Sequence, residues 1–226
     1  MTPRTTSVLI AEAVGTFLFF FVGMGAVILG SHTGDASGGL IGVAFAHGLA
    51  LAVMVSALGA VSGGHFNPAV TFGVWLTGRI EPARVGHYVV AQLVGAVLAA
   101  LALRFVFPES SWEPVALGTP ALGEGTDVAQ GIVIEAVLTM VLLVAVVGTA
   151  IDPRGPKIGG LAIGLAVAAD ILMGCRYRER RPSRWPGRWW PGWRCRPSPC
   201  AAPGGRRRPS SPPPIEELRR RSAGCR

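Results

Sequence analysis

Five apolar segments in the first 174 residues constrain this chain more than any other feature. They run over about 8–30, 38–61, 85–107, 128–151 and 158–174. The first four are each long enough to cross a bilayer core, which takes about 20 helical residues. The fifth is shorter and carries Asp170. A backbone in lipid must satisfy its own hydrogen bonds, so the segments are expected to be helices and the fold an all-α membrane protein. A signal peptide does not account for the first segment, whose apolar stretch is too long and has four more behind it. Only 15% of the chain is charged, against about 25% in soluble domains. An ordinary soluble enzyme core is therefore excluded.

Charge divides the chain near Gly174. Residues 1–174 hold six basic and ten acidic side chains, a net −4, while 175–226 hold 15 Arg and three Glu, a net +12. All four Cys also follow Gly174. Within the first part, Arg4, Arg79, Arg84, Arg154 and Lys157 lie before segment one, between two and three, and between four and five. The connections after segments one and three carry acids and no Lys or Arg. The positive-inside tendency then predicts a cytoplasmic N-terminus. Small residues at four-residue spacing, Gly42, Ala46 and Ala50 in segment two and Ala91, Gly95 and Ala99 in segment three, mark helix faces suited to close packing.

The segments also repeat. Glu12-Ala13-Val14-Gly15-Thr16 matches Glu135-Ala136-Val137-Leu138-Thr139 at an offset of 123. Gly38-Gly39-Leu40 matches Gly159-Gly160-Leu161 at 121, and Ile41-Gly42-Val43-Ala44 matches Ile163-Gly164-Leu165-Ala166 at 122. Three spans per repeat give the halves opposite topology, the inverted-repeat plan of transport proteins. Glu12 and Glu135 are each alone in an apolar helix. An intramembrane carboxylate is either a functional site or a buried acceptor for loop N–H groups. The symmetry of the pair favours the second, each bracing one of two related loops.

Between segments two and three runs Ser62-Gly63-Gly64-His65-Phe66-Asn67-Pro68-Ala69-Val70-Thr71-Phe72-Gly73. Asn is a favoured N-cap and Pro a favoured first helical residue, so Asn67 and Pro68 open a helix, predicted to run to about Gly78. Its length, roughly 16 Å, is half a bilayer core. Ser62, Gly63 and Gly64 form a flexible lead whose carbonyls can line a cavity. A half-helix of this kind sets its positive end near the midplane, which suits a neutral hydrogen-bonding solute and opposes cations and protons.

This twelve-residue stretch, with the repeat, closely resembles the first signature loop of the aquaporin (major intrinsic protein) channels. The resemblance covers about residues 8–174. It implies an aquaporin-like inverted-repeat helical bundle in which five spans and one re-entrant half-helix are recognisable. It also implies a homotetramer of protomers that each carry a pore, in the plasma membrane. By that resemblance Asn67, Pro68 and Ala69 form the pore signature, with Asn67 donating its amide to a passing water. Gly63, Gly64 and His65 line a vestibule, and Glu12 and Glu135 brace the two half-helix loops. The family's selectivity constriction matches His47, 20 residues before Asn67, and Ile171. On periodicity alone His47 reads equally as a packed histidine on an apolar face. A His and Ile pair looks like the plant vacuolar subfamily, with a filter passing ammonia or another small neutral solute besides water. The partners implied are water, small neutral solutes and the lipid bilayer; no nucleic acid is expected.

The resemblance stops at Gly174. A second Asn-Pro-Ala is expected near 183 or 188–190, yet Asn67 is the only Asn in the chain. No long apolar run follows Gly174, so the second half-helix and the sixth span are absent. The division expected is an incomplete channel domain over 1–174 and a tail over 175–226. The tail is readable as a basic lipid- or nucleic-acid-binding segment, as a source of Cys ligands whose spacing fits no site, or as G+C-rich DNA read out of frame; the last is preferred. The function expected is a passive channel for water and other small neutral solutes, impaired in this chain. The alternative is a membrane-anchored interaction protein using the tail. No phosphate loop, metal-ligand spacing or nucleophile–base pair is visible, so no enzyme activity, cofactor or metal is expected.

Overall fold

A computed structural model describes residues 3–33, 38–122 and 126–177. The tail readings above fall, from residue 178 on, outside these; 175–177 are the end of the last helix. Every regular element among the described residues is helical: α1 (Pro3–Thr33), α2 (Gly39–Ser62), α3 (Pro68–Leu76), α4 (Pro82–Val106), the short α5 (Glu109–Trp112) running into a 3-10 turn (Glu113–Gly118), α6 (Val128–Val146) extended by a π-turn (Val147–Ile151), and α7 (Gly159–Tyr177). Four of these, over Thr5–Ser31, Gly39–Ser62, Pro82–Val106 and Val128–Ile151, are long and apolar enough to cross a membrane; Gly159–Gly174 is a shorter apolar helix. Side chains such as Phe105, Leu76 and Val144 point outward from the bundle, as expected where the surroundings are lipid rather than water.

Local chemistry sets the helix ends. Pro82 opens α4 at its first turn, where a missing N–H costs nothing. Asp127 and Gln130 form a reciprocal capping box at the start of α6, satisfying two otherwise orphaned donors. Between α6 and α7 the exposed Arg154 guanidinium lies 2.8 Å from the Asp152 carboxylate and holds that carboxyl below the usual range. The connection after α4 folds back on α1, where Val115 joins Val27, Ile28 and Leu103 in a small core. Arg104 lies 4.7 Å from the Trp112 ring centroid.

Helix α1 packs on α2 and α4, and α2 packs most extensively on α7. The α2–α7 crossing is built from small residues at four-residue spacing on both helices: Gly48, Ala52 and Ser56 face Gly160, Gly164 and Ala168. A Cβ at Gly48 would stand 2.5 Å from the Gly164 carbonyl oxygen, and one at Gly164 would strike the Gly48 carbonyl. The backbones therefore touch directly, the arrangement that favours helix association where lipid removes the hydrophobic drive. This crossing uses a different stripe of α2 from Gly42, Ala46 and Ala50, which are half-buried. On α4, Gly95 and Ala99 of the expected stripe are buried, with the backbone of α1 at Ala13 and Phe17 against Gly95.

Gly164→Leu should therefore lower stability by about 3 kcal/mol through overpacking, read as a drop in the unfolding midpoint in detergent. Gly86→Ala, where a Cβ meets open space, should leave the midpoint in place. Equal midpoints for the two variants would contradict the close crossing.

Candidate pore site

The stretch between α2 and α3 turns back on itself. Gly63 (φ 95°) and Gly64 (φ 67°) take left-handed backbone, which glycine adopts without a Cβ penalty. Gly63 caps α2, its N–H donating to the Gly59 carbonyl at 2.8 Å. Phe66 is also left-handed (φ 46°), a conformation that costs a bulky residue on the order of 1–2 kcal/mol. Its ring is fully buried and fills the space that the absent side chain of Gly15 leaves on α1. Then Asn67 (φ −152°, ψ 128°) caps α3, with Pro68 at the first helical position. The helix is nine residues long and stops at Leu76, two short of the expected end. Thr77 and Gly78 turn the chain out instead.

Glu12 holds this stretch in place. It is fully buried, and its carboxylate accepts four hydrogen bonds. Oε1 takes the Ser62 hydroxyl at 2.6 Å and the His65 N–H at 3.1 Å. Oε2 takes the Phe66 N–H at 2.8 Å and Gln92 Nε2 at 2.9 Å. Two successive backbone donors that a reversing chain would leave unpaired inside the bundle thus find one acceptor. The Tyr88 hydroxyl donates to the Ser62 carbonyl at 2.6 Å, clamping the stretch from α4.

A second layer ties it to α3. The Thr71 hydroxyl donates to the Asn67 carbonyl at 3.0 Å and accepts from Gln92 Nε2 at 2.9 Å. It has one proton, already directed to Asn67, so its 3.2 Å contact with His65 Nδ1 has the imidazole as donor. His65 therefore carries a proton on Nδ1. It is buried and stands 5.0 Å from the Tyr88 ring. Both Gln92 protons are spent on Glu12 and Thr71, and its Oε1 has no partner among the described residues. At Asn67, Oδ1 accepts the Ala69 N–H at 2.8 Å. The amide is thereby oriented, and Nδ2 is the group left to donate.

Asn67 and His65 line a small cavity whose other walls include Phe19, Leu51, Val70 and Val167. About 20 Å³ of it is open to the centre of a water molecule, enough for a single water. The walls are mostly apolar, so a solute inside meets few hydrogen-bonding groups, and those few are fixed in direction.

The remaining residues singled out in the sequence are placed as follows. Pro68 and Ala69 form the first turn of α3; Gly63 is exposed and Gly64 buried. His47, half-buried on α2, is one turn before Leu51, and Ile171, half-buried on α7, is one turn after Val167. Both continue helix faces that line the cavity. Glu135 differs from its repeat counterpart. It is exposed on α6 and lies within electrostatic reach of Asp170. The residues at the repeat offset from the Glu12-bound loop fall outside those described. Sequence reasoning missed Gln92, Thr71 and Tyr88. The available signal was Gln92, the lone amide in the apolar stretch of α4, where polar side chains are expensive.

Glu12→Gln should lower stability by about 2–3 kcal/mol, because the amide turns an –NH₂ toward a donor in a buried network of charge-assisted bonds. The unfolding midpoint in detergent reads this. An unchanged midpoint would show that the carboxylate does not hold the stretch.

A family model described as major intrinsic protein matches residues 2–179. Aquaporin TIP4-4 of Zea mays is 47% identical over 73% of this chain and 66% of its own length. Aquaporin Z of Photorhabdus laumondii is 36% identical over 73% of this chain and 74% of its own. The chain thus spans about two thirds to three quarters of the length of these relatives. Among solved structures, the aquaglyceroporin from Plasmodium falciparum shares the fold, with a TM-score of 0.61 at 23% identity over 74% of this chain and 72% of that one. The crossing helices, the Asn67-capped half-helix and these relatives agree: the chain is a multi-pass integral membrane protein of the major intrinsic protein family.

Proposed function

We propose that residues 1–174 are the channel-forming part of a passive pore for water and other small neutral solutes. The observation that carries this reading is the placement of Asn67. Its Oδ1 is engaged by the helix it caps and its Nδ2 is free to donate, in the wall of a cavity with room for one water. A solute that passes here exchanges one hydrogen bond with water for one with Asn67. The positive end of α3 raises the cost for a cation or a hydrated proton.

In this reading Asn67, Pro68 and Ala69 are the pore signature, and Gly63, Gly64 and His65 the vestibule. His47 and Ile171 form the constriction one turn beyond the cavity. Glu12 braces the first half-helix loop. Glu135 is the counterpart brace for a second such loop, consistent with its position in the repeat. We assign no catalytic step, no cofactor and no metal. A homotetramer in the plasma membrane completes the reading, with residues 175–226 read from their composition as a tail and not as part of the channel. The comparisons lend no support to a tail-binding function. A fluorescent fusion found only on an internal membrane would overturn the plasma-membrane assignment.

Because Asn67 is the sole Asn, the 226-residue chain supplies one such donor where the repeat plan calls for two. Proteoliposomes carrying it should therefore shrink osmotically at close to the rate of empty liposomes. Joining residues 1–174 to the segment that follows the matching position in the maize relative should give fast shrinkage with low activation energy. Asn67→Leu in that fusion should remove most of the gain. A fusion that inserts and still shrinks at the empty-liposome rate would overturn the channel reading of residues 1–174.

A further inference from the structure

Gly23 stands on α1 directly behind the His47 imidazole. A Cβ built there would lie 2.7 Å from His47 Cγ and 2.5 Å from Nε2, and would strike Cδ2. Nothing in the sequence pattern singles out this glycine from Gly25, two residues on. At Gly25 a Cβ would make an ordinary 3.5 Å contact with Leu103.

The imidazole is held from two other sides. Its Nδ1 lies 2.9 Å from the Val43 carbonyl oxygen on its own helix. A carbonyl only accepts, so His47 carries a proton on Nδ1. The Phe19 ring meets it edge to face, with centroids 5.8 Å apart. Helices α1 and α2 run antiparallel, since Glu12 meets Ser62 and Gly23 meets His47. Gly23 is one turn along α1 from Phe19, and His47 one turn back along α2 from Leu51. Both Phe19 and Leu51 line the cavity.

We propose that Gly23 is the positioning residue for His47: its missing side chain lets the imidazole lie back against α1, and this sets the aperture one turn beyond the cavity. A methyl group at 23 meets the Cδ2–Nε2 edge of the ring first and Cγ, its root, at 2.7 Å; turning the ring about its Cβ–Cγ bond moves the edge but not Cγ, so it does not relieve the clash. The helices cannot part cheaply, because the Glu12 to Ser62 bond and the Phe66 ring on Gly15 pin α1 to α2 and its loop. The imidazole must leave its Val43 bond and swing away from α1, toward the space that the faces of Leu51 and Val167 enclose. The consequence for the aperture rests on the pore reading above; the position of the ring does not.

The test is ¹⁵N magnetic resonance of the full chain, labelled at histidine, in lipid bilayers, with the His47 signals assigned from their loss in His47→Gln. The wild-type chain should show His47 protonated and hydrogen-bonded at Nδ1. Gly23→Ala should lose that hydrogen-bonded signal, and Gly25→Ala should keep it. An unchanged His47 signal in Gly23→Ala would overturn the proposal, as would its loss in both variants, which would report only a loosened α1. Urea and water permeabilities of vesicles carrying the channel fusion described above, with and without Gly23→Ala, separate the two ideas. A fall in the urea-to-water ratio in Gly23→Ala supports the aperture role, and an unchanged ratio in conducting vesicles refutes it. Vesicles of the wild type and of the channel fusion that both conduct neither solute contradict the pore reading, while the spectrum alone still decides where Gly23 puts His47.

Discussion

One buried carboxylate organises the functional half of this molecule. A chain that enters a membrane bundle and turns back must leave backbone N–H groups without helical partners, and lipid offers none. Glu12 resolves this by accepting from two successive amides, a hydroxyl and a side-chain amide at once. The left-handed turn at Phe66 is affordable because its N–H and its ring both find fixed partners on α1. Everything downstream, from the direction of α3 to the orientation of Asn67, follows from where that turn is held.

The network also connects elements distant in sequence. Gln92 on α4 donates to Glu12 on α1 and to Thr71 on α3, and Thr71 in turn holds the Asn67 carbonyl. The hydrogen-bond directions leave little freedom: one hydroxyl proton at Thr71 fixes the histidine tautomer, and one backbone N–H fixes the Asn67 amide. Glu12, Gln92 and Thr71, which do not line the cavity, thus orient Asn67 and His65, which do. The glycines do complementary work. Gly15, Gly48, Gly95 and Gly164 each admit a neighbouring ring or backbone where a side chain would collide, so the cavity wall is set by contacts that a single methyl group would disturb.

Much of this was legible in the sequence. The helix positions follow from apolar length. The start of α3 follows from Asn67 and Pro68, because an N-cap and a proline at the first turn leave few other conformations. Glu12 was legible as a loop acceptor because it is a lone charge in an apolar segment that recurs, with Glu135, in the repeat. The end of α3 was not, since Thr77 and Gly78 both permit termination and only the packed chain shows which turn closes. The interlocking face of α2 was hidden because that helix is apolar all round and carries two small-residue stripes. Sequence cannot say which one meets α7. Gln92 was signalled as the lone amide of α4, but its partner Thr71 became visible only once the phase of α4 against α3 was known. Glu135 repeats the local sequence of Glu12 without repeating its burial, which the local sequence alone does not specify.

The central claim is that a reversing stretch inside the bundle is held by Glu12. Hydrogen–deuterium exchange of the chain in lipid bilayers, resolved to the amides of His65 and Phe66, tests it most directly. The account requires those two amides to exchange slowly, like the interior of α2, and to lose that protection when Glu12 is replaced by Ala. Exchange of both amides in the wild-type chain as fast as in the exposed turn around Arg154 would contradict it.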